Sequence, residues 1–186
     1  VKAKLFGIVT ADYENDKVLD DADILPSGIR KLPKNFWEKV PDVKHAHVDG
    51  AERYDINIST LPKSLRTFYL NEFVYLEDTA NPFTARVMKR VEQSITLESV
   101  TDHQSQKNAV FRIRAQNLEQ SFALNLLLDP EVDFITLLGP SGTGKTLLAL
   151  ASGLEQTMKS RRYSEIIFTR ATVPMGEDIG FLPGTE

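Results

Sequence analysis

The 186-residue sequence predicts an α/β fold: a partial parallel sheet built around a phosphate-binding loop, preceded by a small β-rich domain that is either a sheet or a barrel. Three observations predict it. GPSGTGKT, residues 139–146, fits the spacing G-x-x-x-x-G-K-[ST] at every fixed position. A β-branched apolar run precedes that loop and an apolar stripe at helical spacing follows it. Between about residues 51 and 113 the pattern has period two, which is the spacing of half-buried strands.

Composition narrows the class. A hydrophobic fraction of 41% supplies a globular core, and a formal charge of -4 excludes a general basic field for nucleic acid, so any such binding needs a local patch. The absence of cysteine excludes disulfides and thiolate metal sites and fits a reducing cytoplasm. No apolar run approaches the ~20 residues that span a bilayer, and no signal-peptide pattern appears, so the expectation is a cytoplasmic protein without a membrane partner. The chain opens on Val1 and stops at Glu186 after a Pro-Gly turn, which reads as an excerpt of something longer.

Three segments follow from these patterns: 1–50 as a module tail and linker, 51–113 as the β-rich domain, and 114–186 as the start of the phosphate-loop domain. Within the first, KLFGIV (4–9) reads as a strand, and the acidic run 12–23 reads as a solvated loop in preference to a divalent-metal site. Phe36 and Trp37 read as packing residues. His45 and His47 share a face if extended, a spacing that chelates metal, but with only Asp42 and Asp49 nearby the loop reading is preferred.

In the second segment Tyr54, Ile56 and Ile58 alternate with polar residues. Residues 71–78, a run holding Ala85, Val87 and Val91, the pair Ile95 and Leu97, and Val110 through Ile113 complete four or five short strands. Thr101–Asn108 reads as a turn or linker between two of them. Lys89, Arg90, Arg112 and Arg114 are candidates to track a phosphate backbone, but interleaved aromatics are few, so a structural sheet is preferred over an oligonucleotide surface.

In the third segment, 117–130 predicts a helix. Asn117 is the N-cap, Gln120 completes the spacing of a capping box, Leu118, Phe122 and Leu126 form the buried stripe, and Pro130 stops it. Residues 132–139 read as a buried parallel strand. The helix over 146–160 points Leu147, Leu150, Ala151 and Leu154 at the core, and 164–170 reads as a second strand of a right-handed βαβ unit. Residues 171–186 read as a loop at the carboxyl edge of that sheet.

The chemistry explains the spelling of the loop. Gly139, Gly142 and Gly144 lack a Cβ, so the chain can take positive φ and bring backbone N–H groups to a polyphosphate at a helix start. Gly139, Pro140, Ser141, Gly142, Thr143, Gly144, Lys145 and Thr146 are therefore the candidate nucleotide-binding set. Lys145 is assigned to the β- and γ-phosphates and Thr146 to Mg²⁺, and these two are the candidate catalytic residues. Hydrolysis also needs a carboxylate on a neighbouring strand, usually after the loop. LLLD (126–129) precedes it, and EIIFTR (165–170) ends in Thr-Arg, so the excerpt alone is expected to be inactive.

The segments 117–130, 137–156 and 166–184 resemble the PhoH family of P-loop ATPases, which have a RecA-like nucleotide-binding fold. GEDIGFLPG, 176–184, is the most diagnostic of them. Residues 2–21 look like the tail of the PIN ribonuclease module that is fused ahead of PhoH in one branch, and the β-rich middle is similar to the connector there. The resemblance implies an ATPase with ATP and Mg²⁺ as cofactors, acting in RNA metabolism with helicase-like and ribonuclease activities, and able to form a homo-oligomer. It implies adenine recognition for Gln120, beside its reading as a capping residue, and a nucleic-acid or phosphate contact for Thr169 and Arg170, beside that of a strand end in water. Two departures stand out: Ala115 and Gln116 replace the family's Pro-Arg, and Ala171 replaces the proline after Thr-Arg. The competing reading is a nucleic-acid-binding module in which the β-rich segment carries the function and the loop is a non-hydrolysing nucleotide site.

Overall fold

Period-two patterning produces a six-stranded sheet. The computed structural model describes residues 27–77 and 82–169, so the expected strand at 4–9, the acidic run 12–23, Arg170 and the loop 171–186 lie outside the described residues. The chain divides into two units, Val1–Val100 and Thr101–Glu186. The strands of the first are β1 Ile29–Lys31, β2 Val43–Val48, β3 Ala51–Asn57, β4 Phe73–Leu76, β5 Phe83–Val91 and β6 Ser94–Ser99. Their spatial order is β1-β4-β5-β6-β3-β2. β1 runs parallel to β4 and every other pairing is antiparallel. The two ends of the sheet, β1 and β2, do not pair, so it is open and the barrel alternative is set aside.

Turn chemistry fixes the register. Asp49 and Gly50 join β2 to β3 with φ values of 53° and 84°, as a two-residue hairpin of Asp-Gly type requires. Residue 48 therefore faces 51, and 47 faces 52. On one face Tyr54 and Ile56 of β3, Ile95 and Leu97 of β6 and Ala85 and Val87 of β5 meet the segments 32–40 and 58–68, which bring in Leu32, Phe36, Leu61 and Phe68. Phe36 is fully buried, as a packing residue.

The expected alternation fails at one place. Between Val87 and Lys89, β5 advances two residues while β6 advances one, from Leu97 to Thr96. That bulge reverses the facing of everything after it. Val91, expected beside Ala85 and Val87, is exposed. Arg90 turns the other way and donates from Nη1 to the Phe68 carbonyl at 2.7 Å. The expected cationic track is thus divided: Arg90 has a structural partner, and Arg112 and Arg114 belong to the second unit.

At the β2 edge, His45 Nε2 lies 2.5 Å from Glu52 Oε2 and His47 Nδ1 lies 2.8 Å from Glu52 Oε1. An ionised carboxylate only accepts hydrogen bonds, so both imidazole nitrogens donate. The loop reading preferred for this stretch is overturned, since both histidines lie in β2 and share a face, but they share it with one carboxylate. Among the described residues no group of three or more His, Cys, Asp or Glu is arranged to hold a metal ion.

Among its described residues the second unit is built on two α-helices, α1 Leu118–Leu127 and α2 Lys145–Leu154, the latter continued by a π-helical turn, Glu155–Lys159. The Asn117 side chain accepts from the Gln120 N–H at 2.9 Å, which is the expected N-cap. Its core is Val110, Ala115, Leu124, Leu148 and Ala151. The buried face of α2 is Leu148, Ala151 and Ser152, while Leu147 and Leu150 are exposed, so the expected stripe is rotated.

Three expected β elements differ. Val110 and Ile113 exchange backbone hydrogen bonds of 2.8 Å across Phe111 and Arg112, both at positive φ, so this is a tight turn and not a strand. The Phe111 N–H donates to Glu155 Oε2 at 2.8 Å. Residues 132–139 and 164–169 form no strand, because neither run has a ladder partner among the described residues. Phe134, Leu138, Ile167 and Phe168 are exposed in consequence. Ile166 still lies on α2: a Cβ at Gly153 would come within 3.0 Å of Ile166 Cδ1. Finally, Thr101–Asn108 is more than a linker. His103 is buried, its Nδ1 lies 2.8 Å from the Asn108 carbonyl, and its N–H donates to Ser121 Oγ of α1 at 3.0 Å.

Two outcomes are expected. Leu97→Ala, at a fully buried position, should destabilise the first unit by about 2–5 kcal/mol in urea unfolding. Hydrogen bonds from His47 and then His45 hold the Glu52 carboxyl below the usual carboxylate range. The sign follows: the clamp is intact with Glu52 ionised and is lost as pH falls through that depressed pKa. Carboxyl NMR titration should show the midpoint rising when both histidines become alanine; an unmoved midpoint would show that the imidazoles do not set it.

Candidate functional site

The loop 139–146 leads into α2, and its backbone has the shape its glycines permit. Gly142 and Gly144 sit at φ 81° and 84°, in the left-handed region where a Cβ is strained. Gly144 is the N-cap of α2, and no side chain caps that end. The first N–H groups of the helix are therefore left without an internal acceptor, pointing outward where its dipole favours an anion.

Lys145 is half-buried and folds back over the loop. Its Nζ donates to the carbonyls of Gly139 at 2.8 Å and Pro140 at 2.6 Å and to Thr143 Oγ1 at 3.2 Å. All three ammonium protons thus have an acceptor within the loop. Thr143 Oγ1 in turn donates to the Pro140 carbonyl at 2.9 Å. Thr146 is exposed at the start of the helix, with Ser141 and Gly142 exposed on the rim.

Gln120 comes from the other helix and reaches the loop. Its Nε2 donates to the Thr143 carbonyl at 3.3 Å, and its Oε1 accepts from the Gln116 N–H at 2.7 Å. The capping box is therefore offset: Asn117 caps Gln120, but the reciprocal bond goes to the backbone of Gln116. The structure brings Gln120, Gly139, Pro140, Thr143, Gly144 and Lys145 together. Arg170 lies outside the described residues, and Thr169 is exposed.

Sequence reasoning missed two groupings. Glu52 joins His45 and His47, and the signal was present, since a two-residue Asp-Gly turn places position 52 opposite 47. In the same unit Trp37, Tyr54 and Phe83 pack at centroid distances of 5.0–5.5 Å. His45 stacks on Tyr54 at 4.8 Å. With Val43 and Pro82 these rings line an open concavity of about 370 Å³. They come from four separate segments, so no local pattern marks them.

Known proteins bear on this geometry. Residues 112–186 match the family model of the PhoH-like proteins. The chain is 32% identical to PhoH2 of Bacillus subtilis over 186 residues, all of this chain and 39% of that protein. It is 44% identical to PhoH2 of Thermobispora bispora over 78 residues, 41% of this chain and 18% of that one. A PhoH-like protein of Mycobacterium tuberculosis is 48% identical over 48 residues, 26% of this chain and 13% of that one. The chain thus spans well under half the length of these relatives. No solved structure matches it. The loop, the helix that carries it and the segments on either side therefore resemble, over residues 112–186, the PhoH-like family.

Proposed function

We propose that residues 139–146 bind the triphosphate of ATP and that the protein is a P-loop ATPase of PhoH type acting in RNA metabolism. The observation that carries this is the uncapped start of α2, framed by left-handed glycines, with a lysine ammonium folded over the same loop. These donors fit a polyphosphate: each is an N–H or an ammonium, and none is an acceptor. Lys145 exchanges its loop oxygens for phosphate oxygens when the ligand enters. Mg²⁺, when bound, neutralises charge on the β- and γ-phosphates, and Thr146 is the residue of this loop that would hold it. The carboxylate that completes such a centre is assigned to no residue of this chain.

Lys145→Ala tests the site. It should abolish ATP binding at concentrations that saturate the unaltered protein, measured by calorimetry, while the thermal midpoint stays unchanged. Wild-type affinity in that variant would remove the proposal.

A second reading assigns the first unit to single-stranded nucleic acid, and the four-ring cluster favours it. Aromatic rings are sequence-tolerant stacking platforms, each worth about 1–3 kcal/mol per base. Trp37 is the chain's single tryptophan, so its fluorescence reports on the concavity directly. Single-stranded RNA should quench it saturably, with an apparent affinity that falls as salt rises. Unquenched emission across the series would eliminate this reading.

A further inference from the structure

We infer that Gln120 is a positioning residue for the phosphate loop, holding the Thr143–Gly144 peptide in place from helix α1, and is not a reader of the base. This rests on the nucleotide-site reading of residues 139–146 and assigns a residue of α1 whose side chain hydrogen-bonds to that loop.

The amide of Gln120 is engaged at both ends. Its oxygen accepts from the Gln116 N–H at 2.7 Å and its nitrogen donates to the Thr143 carbonyl at 3.3 Å. These two partners also settle which way the amide points, since an N–H needs the oxygen and a carbonyl needs the NH₂ group. The residue itself is fixed, because its backbone N–H is tied to Asn117 Oδ1 at 2.9 Å. The fit to the loop is close: a Cβ on Gly144 would stand 3.2 Å from Gln120 Nε2. Gly144 itself is at φ 84°, a left-handed conformation in which a side chain would be strained.

The consequence is directional. In a trans peptide the C=O and the following N–H point to opposite sides. Turning the Thr143 carbonyl onto Gln120 therefore turns the Gly144 N–H away from it. That N–H belongs to the bend whose amides face a phosphate in this class of loop. Gln120 thus acts on phosphates through the loop, and phosphates are common to every nucleoside triphosphate.

The test uses three ligands that share the phosphates but differ in the base: ATP, GTP and inorganic tripolyphosphate, each with Mg²⁺. Affinities are measured by calorimetry for the unaltered protein, Gln120→Ala and Gln120→Met, with Lys145→Ala as control. Neither Gln120 variant disturbs the N-cap bond, which is made by its backbone, so thermal midpoints should hold. Loss of one neutral hydrogen bond should weaken all three ligands by the same factor, about two- to tenfold. Weakening confined to ATP would overturn the inference in favour of base recognition, and unchanged affinity for every ligand would overturn it outright. If the unaltered protein binds none of the three, or Lys145→Ala binds as well as it does, the nucleotide-site reading itself has failed.

Discussion

Two short helices locked at one point give the second unit its shape. Leu124 of α1 and Leu148 of α2 share a buried cluster with Ala151, Ala115 and Val110. Ten-residue helices are marginal in water, so this packing and not propensity sustains them. The site follows by helical arithmetic. Gln120 lies one turn before Leu124, and Gly144 one turn before Leu148. Residues four apart stand above one another on a helix. Hydrogen bonds join Gln120 to Thr143 at one end and Leu127 to Gln156 at the other, so the helices run side by side in the same direction and 120 stands beside 144, where the amide meets the loop. At the far end, Gln156 Nε2 donates to the Leu127 carbonyl at 2.9 Å and Arg162 Nη1 to that of Leu128 at 3.2 Å. These bonds satisfy the last carbonyls of α1, which would otherwise lack partners.

In the sheet the governing constraint is parity. Alternation assigns each residue a face, so one inserted residue changes the chemistry of all that follow. The bulge at Met88 is what sends Arg90 to the Phe68 carbonyl while Lys89 pairs with Thr96 across the strand. Four adjacent residues, VMKR, read on paper as a basic strand end. In the folded chain their two charges serve different faces. The row on the Lys89 face passes through Thr96, whose hydroxyl donates to Asp55 at 2.6 Å, so that face is mixed in charge.

The sequence made legible whatever depends on neighbours a few residues apart. Asn117 as a cap, the helical run after it, the glycines at Gly142 and Gly144 and the alternation of Tyr54 and Ile56 are all local effects, and each appears in the structure. What was not legible required knowing what stands opposite. Residues 146–154, TLLALASGL, are apolar on several sides, so their spacing does not choose a face; the cluster that Leu148 and Ala151 share with Leu124 does. The runs 132–139 and 164–169 carry the composition of buried strands, but a strand is defined by its ladder, and no described residue provides one. Glu52 and the four rings are assembled by register and by the chain's path, which no window of residues contains.

The hydrogen bonds of Lys145 and Gln120 bear on how much of the proposed site would move when a nucleotide binds. Lys145 already has three acceptors, so the loop does not collapse for want of its ligand's charge. Those acceptors are neutral oxygens. A phosphate offers charged ones, and charge-assisted bonds are roughly twice as strong as neutral bonds, so the ammonium gains by the exchange. The carbonyls it leaves lie on an exposed rim, where water replaces it. Gln120 holds the Thr143–Gly144 peptide from α1, so in the proposed site that peptide would not need to turn. Under the proposed function, binding would consist of one side chain changing partners above a backbone already in position, which lowers the ordering cost that a flexible loop would bring.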